Sequence, residues 1–174
     1  MICVLSRAIT SIYYIEDIDS LRFALGVQDY SIINLQPHFP GYPIFIFFAK
    51  IVFFLSNSLG ITFSIMGGIS IFIIIHFTCK LARIELNSLA GLFCSAIIFF
   101  NPLLWLLSNR YMPDIFGAAI MVAALYFLIL YKDFNYRLMI GAFLTGILAG
   151  TRLSYMPVLI VPAALAVYNS ETRI

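Results

Sequence analysis

Residues 61–79 read ITFSIMGGISIFIIIHFTC, a run of 19 residues without a charged side chain, and this run decides the fold class. A helix rises about 1.5 Å per residue, so the run almost crosses the roughly 30 Å hydrocarbon core of a bilayer. The chain as a whole is also strongly apolar: 63% of its 174 residues are hydrophobic, 10% are charged, and the mean hydropathy is +1.03. This composition lies outside the range of water-soluble domains. We therefore predict an all-α, polytopic integral membrane protein.

Four further segments fit a membrane span or nearly do: residues 88–109, 112–131, 138–151 and 153–169. The first holds Asn101 and Pro102 in its second half, where proline must loosen a helix because it lacks an amide donor. No internal repeat, linker or soluble domain is visible. The sequence predicts one transmembrane domain over residues 1–174 with five spans. The opening run MICVLSRAIT makes neither a signal peptide nor a full span, because Arg7 interrupts it.

The segment from Pro43 to Asn57 leaves two topologies open, because it is apolar but short and contains Lys50. If it spans the membrane, the basic loops fall on both sides. If it lies in the membrane interface, as part of an outer loop over residues 14–60, one compartment receives Lys80, Arg83, Lys132, Arg137 and Arg173, and the other receives the acids together with Arg110 and Arg152. The positive-inside rule makes the first compartment the cytoplasm. We prefer the second topology, because one assumption sorts every charged loop.

The outer face then receives an acidic stretch in which Glu16, Asp17 and Asp19 lie within four residues. Ser20 to Gln28 is predicted to form a short helix, with Asp19 and Ser20 as its N-cap. Its apolar side chains are predicted to face the membrane surface: Leu21, Phe23, Ala24, Leu25 and Val27. The plain alternative is that the acids are solvated loop charges and one helix cap.

The acidic stretch continues into QPHFPGYP, residues 36–43, where three prolines and a glycine stiffen the backbone around His38 and Tyr42. Rigid backbone beside a membrane indicates a positioned site. An imidazole there can donate to a phosphate or share a proton with a carboxylate. The alternative is a histidine that only makes local hydrogen bonds, and the sequence does not identify its partner.

Arg152 is predicted to lie below the outer surface, because a helix of about 14 residues from Arg137 climbs only about 21 Å. A charge at that depth costs at least about 2.5–3.5 kcal/mol unless it faces a polar cavity. The glycines of GILAGTRLSYMP, residues 146–157, permit such a cavity; a snorkelling arginine is the alternative. Arg110 and Asp114 either pair with each other or join the same cavity, with Asp114 at a helix N-terminus after Pro113.

The stretch DSLRFALGVQDYSIINLQPHFPGYP, residues 19–43, resembles the first outer loop of membrane glycosyltransferases of the GT-C type. That superfamily includes protein mannosyltransferases and aminoarabinose transferases. Bacterial and archaeal members carry an acidic residue followed by serine, then FAL, a spacer and a PHPPGYP run. Phe39 stands here at the central proline of that run. The segments NPLLWLLSNRYMPD and GILAGTRL resemble later outer-edge segments of the same superfamily.

The resemblance implies a GT-C-like helical bundle with an active site on the outer or luminal side of a plasma, inner or endoplasmic reticulum membrane. Such an enzyme takes a sugar from a polyprenyl-phosphate donor and passes it, with inversion, to an acceptor hydroxyl on a glycan, lipid or protein. Members have more spans than the five found here, so we expect the chain to be the N-terminal part of a longer enzyme.

Site residues are carried over one by one. Asp19 matches the first-loop carboxylate, the expected general base or a residue near a divalent cation, which is the candidate cofactor; Asp17 and Glu16 are its rivals. His38 lies where relatives hold a cation for the lipid phosphate. Four more residues are candidates for binding the lipid phosphate or substrate: Tyr42, Arg110, Asp114 and Arg152.

Chemistry supports this interpretation without the resemblance, because inverting transfer needs a carboxylate for the acceptor proton and a positive environment for the departing phosphate. The net charge of +2 gives no reason to expect nucleic acid as a partner; membrane lipids are the expected surroundings. Two alternatives stay open. One is a multi-pass transporter or lipid flippase, which the lack of an internal repeat disfavours. The other is a non-catalytic membrane subunit.

Overall fold

The computed structural model describes residues 1–129 and 134–171, and within these ranges the chain forms nine α-helices and a single 3₁₀ turn at Leu153–Tyr155. The helices are α1 (Ile2–Ile9), α2 (Ile18–Gln28), α3 (Pro43–Ser56), α4 (Leu59–Leu81), α5 (Leu89–Phe100), α6 (Pro102–Asn109), α7 (Asp114–Ile129), α8 (Phe134–Ala149) and α9 (Met156–Glu171). No β-strand occurs in the described residues beyond an isolated bridge between Ser31 and Gln36. The all-α prediction is confirmed.

Helix α4 confirms the helix predicted at 61–79, and its 23 residues make it long and apolar enough to cross a membrane. It is the one helix of the described residues that meets this test. The shorter apolar helices are Pro43–Ser56, Leu89–Phe100, Asp114–Ile129, Tyr136–Ala149 and Leu153–Tyr168. The helices predicted after 61–79 are therefore present, but their role as membrane spans stays a prediction.

The predicted helix over 88–109 is broken rather than loosened. Helix α5 ends at Phe100 and α6 begins at Pro102, with Asn101 as the cap of both. The Asn101 side-chain oxygen accepts a hydrogen bond from the Leu104 amide at 3.1 Å. Proline suits the first position of α6, where its missing amide donor would have no partner in the helix anyway. Two capped helices therefore replace one bent helix.

Helix α4 is the centre of the bundle and packs against α1, α3, α5, α6 and α7, while α7 pairs with α8 and α9. Contact between α4 and α6 depends on Gly67, since a Cβ atom there would lie 1.7 Å from the backbone oxygen of Ser108. A glycine lets the two backbones approach this closely, as small residues do between membrane helices.

Helix α3 lies across one end of α4 instead of running along it. Phe45, in the first turn of α3, has its ring 5.9 Å from Phe63. At the other end of α3, the Ser56 hydroxyl lies 2.9 Å from that of Thr62. Since both ends of α3 contact the first two turns of α4, α3 stays at that end of the bundle. Whether this segment lies in a membrane interface stays a prediction.

The helices expose a large part of their apolar side chains. Helix α5 is the clearest case, because only Gly91 is buried in it while Leu92, Phe93 and Ile97 are all more than 60% exposed. On α3 the side chains of Phe54 and Leu55 are exposed as well. Contiguous exposed apolar surface of this kind is unusual for a monomeric soluble protein and marks contact with a membrane or a partner.

Candidate functional site

The eight candidate residues lie at the end of the bundle where α4 and α7 begin, which we call the polar end: Glu16, Asp17, Asp19, His38, Tyr42, Arg110, Asp114 and Arg152. Tyr111 marks this end, because its ring stacks on Phe63 in the second turn of α4 at 4.6 Å. Lys80 lies near the other end of α4, about 30 Å away by the helical rise. Of the remaining basic residues grouped with it in the sequence prediction, Lys132 and Arg173 lie outside the described residues.

The N-cap of α2 is Asp17 and not Asp19, so that prediction is wrong by two residues. The Asp17 carboxylate accepts a hydrogen bond from the Ser20 amide at 2.7 Å. That hydrogen bond is the main cause that holds the pKa of Asp17 below its ordinary value, and the positive charge of Arg110 adds to it. The carboxylate of Asp17 is therefore used to begin α2.

Arg110 binds two carboxylates of the acidic stretch. Its Nε lies 2.5 Å from Oε2 of Glu16, and its Nη2 donates to Oδ2 of Asp17. The alternative in which Arg110 pairs with Asp114 is wrong. Asp114 instead accepts from Nη2 of Arg152 at 2.7 Å. The five charges thus form two separate sets at the polar end.

Asp19 is the carboxylate of the acidic stretch that keeps its acceptor capacity. Its Oδ1 lies 3.4 Å from Nη1 of Arg22 and 3.5 Å from Nδ1 of His38, both longer than an ordinary charge-assisted hydrogen bond. The Asp19 side chain is 47% exposed. Of the three acids that the sequence left as rivals, Asp19 is the one that Arg110 does not bind.

The apolar side of α2 packs inside the protein and not on the membrane surface. Phe23, Ala24 and Val27 are at most 3% exposed, which overturns that part of the prediction, while Leu21 is 38% exposed. The Phe23 ring is edge-on to the rings of both His38 and Tyr42, at centroid distances of 5.6 and 4.9 Å. Helix α2 therefore serves as the support for the proline-rich loop.

Within that loop, the Tyr42 hydroxyl lies 3.2 Å from Nε2 of His38. Tyr42 is buried and has φ +46°, a left-handed conformation that is uncommon for a residue with a side chain. It is followed at once by Pro43, the first residue of α3. The Nδ1 atom of His38 is buried and forms no hydrogen bond with the described residues, and Oδ1 of Asp19 lies 3.5 Å from it.

A groove of about 380 Å³ separates the proline-rich loop from the turn between α8 and α9. Its lining residues are Phe39, Pro40, Tyr42, Arg152, Leu153 and Ser154. The two walls are joined by the backbone, because the amide of Ile44 donates to the carbonyl of Gly150 at 3.1 Å. The sequence predicted a polar cavity beside Arg152; the groove found there combines one cation and two hydroxyls, those of Tyr42 and Ser154, with an apolar wall.

Within the part of the chain that the structure describes, the donors around Asp19 are too few for a metal site. Glu16 and Asp17 are occupied by Arg110, which leaves His38 as the other donor near Asp19. Among the residues that the structure describes, no group of three His, Cys, Asp or Glu side chains is placed to share a metal ion. A divalent cation normally takes several oxygen ligands, more than this set provides.

The sequence did not identify Arg7, which is fully buried. Its Nε donates to the Ser108 hydroxyl at 2.7 Å and its Nη2 to the Phe99 carbonyl at 3.1 Å. Its guanidinium carbon lies 3.7 Å from the centroid of the Trp105 ring. Phe99 belongs to the last turn of α5, whose free carbonyls carry partial negative charge. The end of this helix therefore provides the counter-charge that a carboxylate would otherwise supply.

No signal in the sequence beyond a lone arginine in an apolar run pointed to Arg7, because Ser108 lies 101 residues away from it. A neighbouring contact also joins residues that are far apart in the sequence: the Asn109 side-chain amide donates to the carbonyl of Thr10, 99 residues earlier, at 3.1 Å. Helix α1 thus holds the residues that immediately precede Arg110.

No protein-family model, curated protein or solved structure matches this chain. The polar end is therefore interpreted from its own chemistry. It offers an available carboxylate on Asp19, a histidine and a phenol beside it, and a groove with Arg152 on its far wall. A general base, proton-transfer groups and a cation for a phosphate are the components of acyl or glycosyl transfer.

Proposed function

We propose that the chain is a multi-pass membrane protein whose polar end faces the outer or luminal side. The distribution of charge supports this proposal. In α4 and α7 the charged residues lie only in a terminal turn, Lys80 at the end of α4 and Asp114 at the start of α7, and α5 has none. Exposed apolar side chains cover the surface between the two ends. A bilayer covers such a surface without any cost in polar desolvation.

The polar end is proposed to transfer a sugar from a polyprenyl-phosphate donor to an acceptor hydroxyl. In this step the acceptor oxygen attacks the anomeric carbon from the face opposite the phosphate. The bond between that carbon and the phosphate oxygen breaks, and its electron pair stays on the phosphate. The acceptor proton goes to a carboxylate. The observation that carries the proposal is the available Asp19 carboxylate beside a groove that holds Arg152.

The groove suits the head of a phospholipid-linked sugar. Arg152 gives one donor to Asp114 and keeps further N–H donors, because a guanidinium has five. Asp114 also fixes the guanidinium in position, and a preorganised cation stabilises the charge that develops on the phosphate. Phe39, Pro40 and Leu153 form the apolar part of the lining. These side chains suit the first isoprene units next to the phosphate.

The test is sugar transfer in membranes that contain the product of the complete native gene. The donors are radiolabelled polyprenyl-phosphate hexoses and aminopentoses, and the readout is label in the acceptor fraction. Asp19→Asn is expected to lower transfer by about 10²–10⁴-fold, the usual contribution of a general base, at an unchanged protein level. Asp29→Asn is the matched control, because it makes the same change in an exposed carboxylate at the C-terminal end of α2.

Full transfer by the Asp19→Asn protein would remove Asp19 from the mechanism. Uptake of the lipid-linked sugar into proteoliposomes without transfer would favour the transporter or flippase. Unchanged glycosylation after Glu16, Asp17 and Asp19 are all neutralised would favour the non-catalytic subunit.

A further inference from the structure

We infer that Tyr42 and His38 form a proton relay that connects the groove to Asp19, an inference that rests on the proposed function. Among the described residues, Tyr42 lines the groove and Asp19 and His38 do not. A base that receives a proton from an acceptor in the groove therefore needs an intermediate group. The Tyr42 hydroxyl lies 3.2 Å from Nε2 of His38, and Nδ1 of His38 lies 3.5 Å from Oδ1 of Asp19.

The three groups are held in line by packing. The Phe23 ring contacts both the imidazole and the phenol edge-on, and Phe23 itself is 1% exposed. Tyr42 is buried between the left-handed turn at Gly41 and the start of α3. Because neither ring can turn away without disturbing this packing, the hydrogen-bond directions are set before a substrate binds. Such preorganisation is what makes proton transfer efficient.

The positions of the hydrogens follow from the partners. The relay requires the Tyr42 hydroxyl to donate to Nε2, which is then the unprotonated nitrogen of a neutral imidazole. Nδ1 then carries the hydrogen, and the acceptor within its reach is the Asp19 carboxylate. The relay is therefore ready to accept a proton from the groove.

The step balances as follows. The acceptor hydroxyl gives its proton to the Tyr42 oxygen while the Tyr42 proton moves to Nε2 of His38 and the Nδ1 proton moves to Asp19. One O–H bond is broken at the acceptor and one is formed at Asp19, and Tyr42 and His38 keep their number of protons. His38 ends with its hydrogen on Nε2, and proton exchange with water returns it to the Nδ1–H form before the next turnover. Asp19 then releases the proton to water, to which its side chain is 47% exposed.

The first test needs no substrate. The sequence contains two histidines, His38 and His76, so His76→Gln leaves a protein with a single imidazole. We expect the nitrogen NMR spectrum of that protein, labelled at histidine in membranes above pH 7, to show hydrogen on Nδ1. Free imidazole side chains favour hydrogen on Nε2. A spectrum with hydrogen on Nε2 would overturn the relay, and Tyr42→Phe is expected to shift the Nε2 signal.

The second test uses the transfer assay. Tyr42→Phe and His38→Gln are each expected to lower transfer at least about tenfold, at the low end of general acid–base contributions. Tyr14→Phe is the matched control, since Tyr14 is 66% exposed and lies outside the relay. Transfer that is lost in Asp19→Asn but normal in both relay variants would overturn the relay and leave the glycosyl transfer standing. A native protein that transfers none of the donors would overturn the proposed function, and the relay with it.

Discussion

Replacing Arg7 by alanine tests how the bundle tolerates a buried cation. Arg7 is fully buried, and its two longest-range hydrogen bonds go to the Ser108 hydroxyl and the Phe99 carbonyl. Its partners belong to the two helices that meet at the Asn101 break. Alanine would leave the Phe99 carbonyl without its charged donor at the point where α5 already lacks helical hydrogen bonds. We expect the break between α5 and α6 to lose its main support.

The magnitude follows from the contacts. Each hydrogen bond from a charged donor contributes about 1.5–3 kcal/mol, so the two together contribute at least about 3 kcal/mol. The guanidinium over the Trp105 ring adds about 1–2 kcal/mol at a desolvated site. Removing one partner of a buried ion pair destabilises a protein by a similar amount, about 3–5 kcal/mol. For a chain of this size, 3 kcal/mol corresponds to a Tm lower by roughly 6–12 °C.

The assay uses Trp105, which is the single tryptophan of the sequence. Its fluorescence is followed during thermal unfolding in detergent micelles, and its emission maximum in the folded state reports the loss of the cation 3.7 Å from the ring. Arg7→Lys keeps the charge but not the planar fork, so an intermediate Tm is expected. Arg83→Ala is the control at an exposed arginine, with a change under about 0.5 kcal/mol. An Arg7→Ala protein that melts within the error of the native protein, with the same emission maximum, would refute the reasoning.

Two further predictions concern packing and pH. Gly67→Ala is expected to lower the free energy of unfolding by about 1–3 kcal/mol, because the new Cβ would meet the Ser108 backbone, which cannot rotate away. Gly146→Ala is the control: nothing lies within 4 Å of its Cβ, so it is expected to be neutral or stabilising by up to about 1 kcal/mol. Equal Tm values for the two variants would contradict this prediction. Asp17 has a lowered pKa in the folded state, so its stabilising contribution is present above the ordinary aspartate pKa of about 3.9 and is lost as the pH falls through the lower, folded value. The difference in Tm between the native protein and Asp17→Asn should therefore shrink below about pH 4, and a difference that is constant from pH 7 to pH 3 would rule this out.

Local signals predicted the helices well. The apolar run at 61–79 and the short helix before Gln28 both exist, because hydrophobic pattern and capping residues act within a few positions of each other. The N-cap was placed two residues late for a physical reason. Asp17 and Asp19 are equally good caps by residue type, and the choice depends on Arg110, which holds Asp17 from 93 residues away.

The contacts that each helix face and charged side chain makes were harder to predict than the helices themselves. The apolar side of α2 was expected on the membrane surface, yet Phe23 packs against His38 and Tyr42. An amphipathic pattern states which face is apolar but not what covers it, since lipid tails and protein side chains are equally suitable. The pairing of Arg152 with Asp114 was missed for the same kind of reason. Sequence proximity favoured Arg110, which lies four residues from Asp114, whereas the fold brings Arg152 closer.

The grouping of the site residues follows from chain direction. Each predicted span carries the chain from one end of the bundle to the other, so polar segments with a pair of spans between them lie at the same end. Asp19 and Arg152 belong to such segments, and the groove between their loops results from the return of α8 to the start of α3. The individual distances within the site depend on side-chain packing over long range and could not be obtained in this way.

On the proposed function, two of the three neighbouring carboxylates have a structural role and the third is the base. Arg110 must lie close to the acidic stretch to connect α2 with the start of α7, and a free arginine there would compete for the Asp19 carboxylate. Glu16 and Asp17 occupy its Nε and Nη2 donors. The Asp17 carboxylate also begins α2, which sets the position of Asp19 two residues later and of Phe23 under the imidazole. In the proposed reaction Glu16 and Asp17 thus hold Arg110 and leave Asp19 as the base, and Arg7 supports this arrangement by holding Ser108, two residues before Arg110.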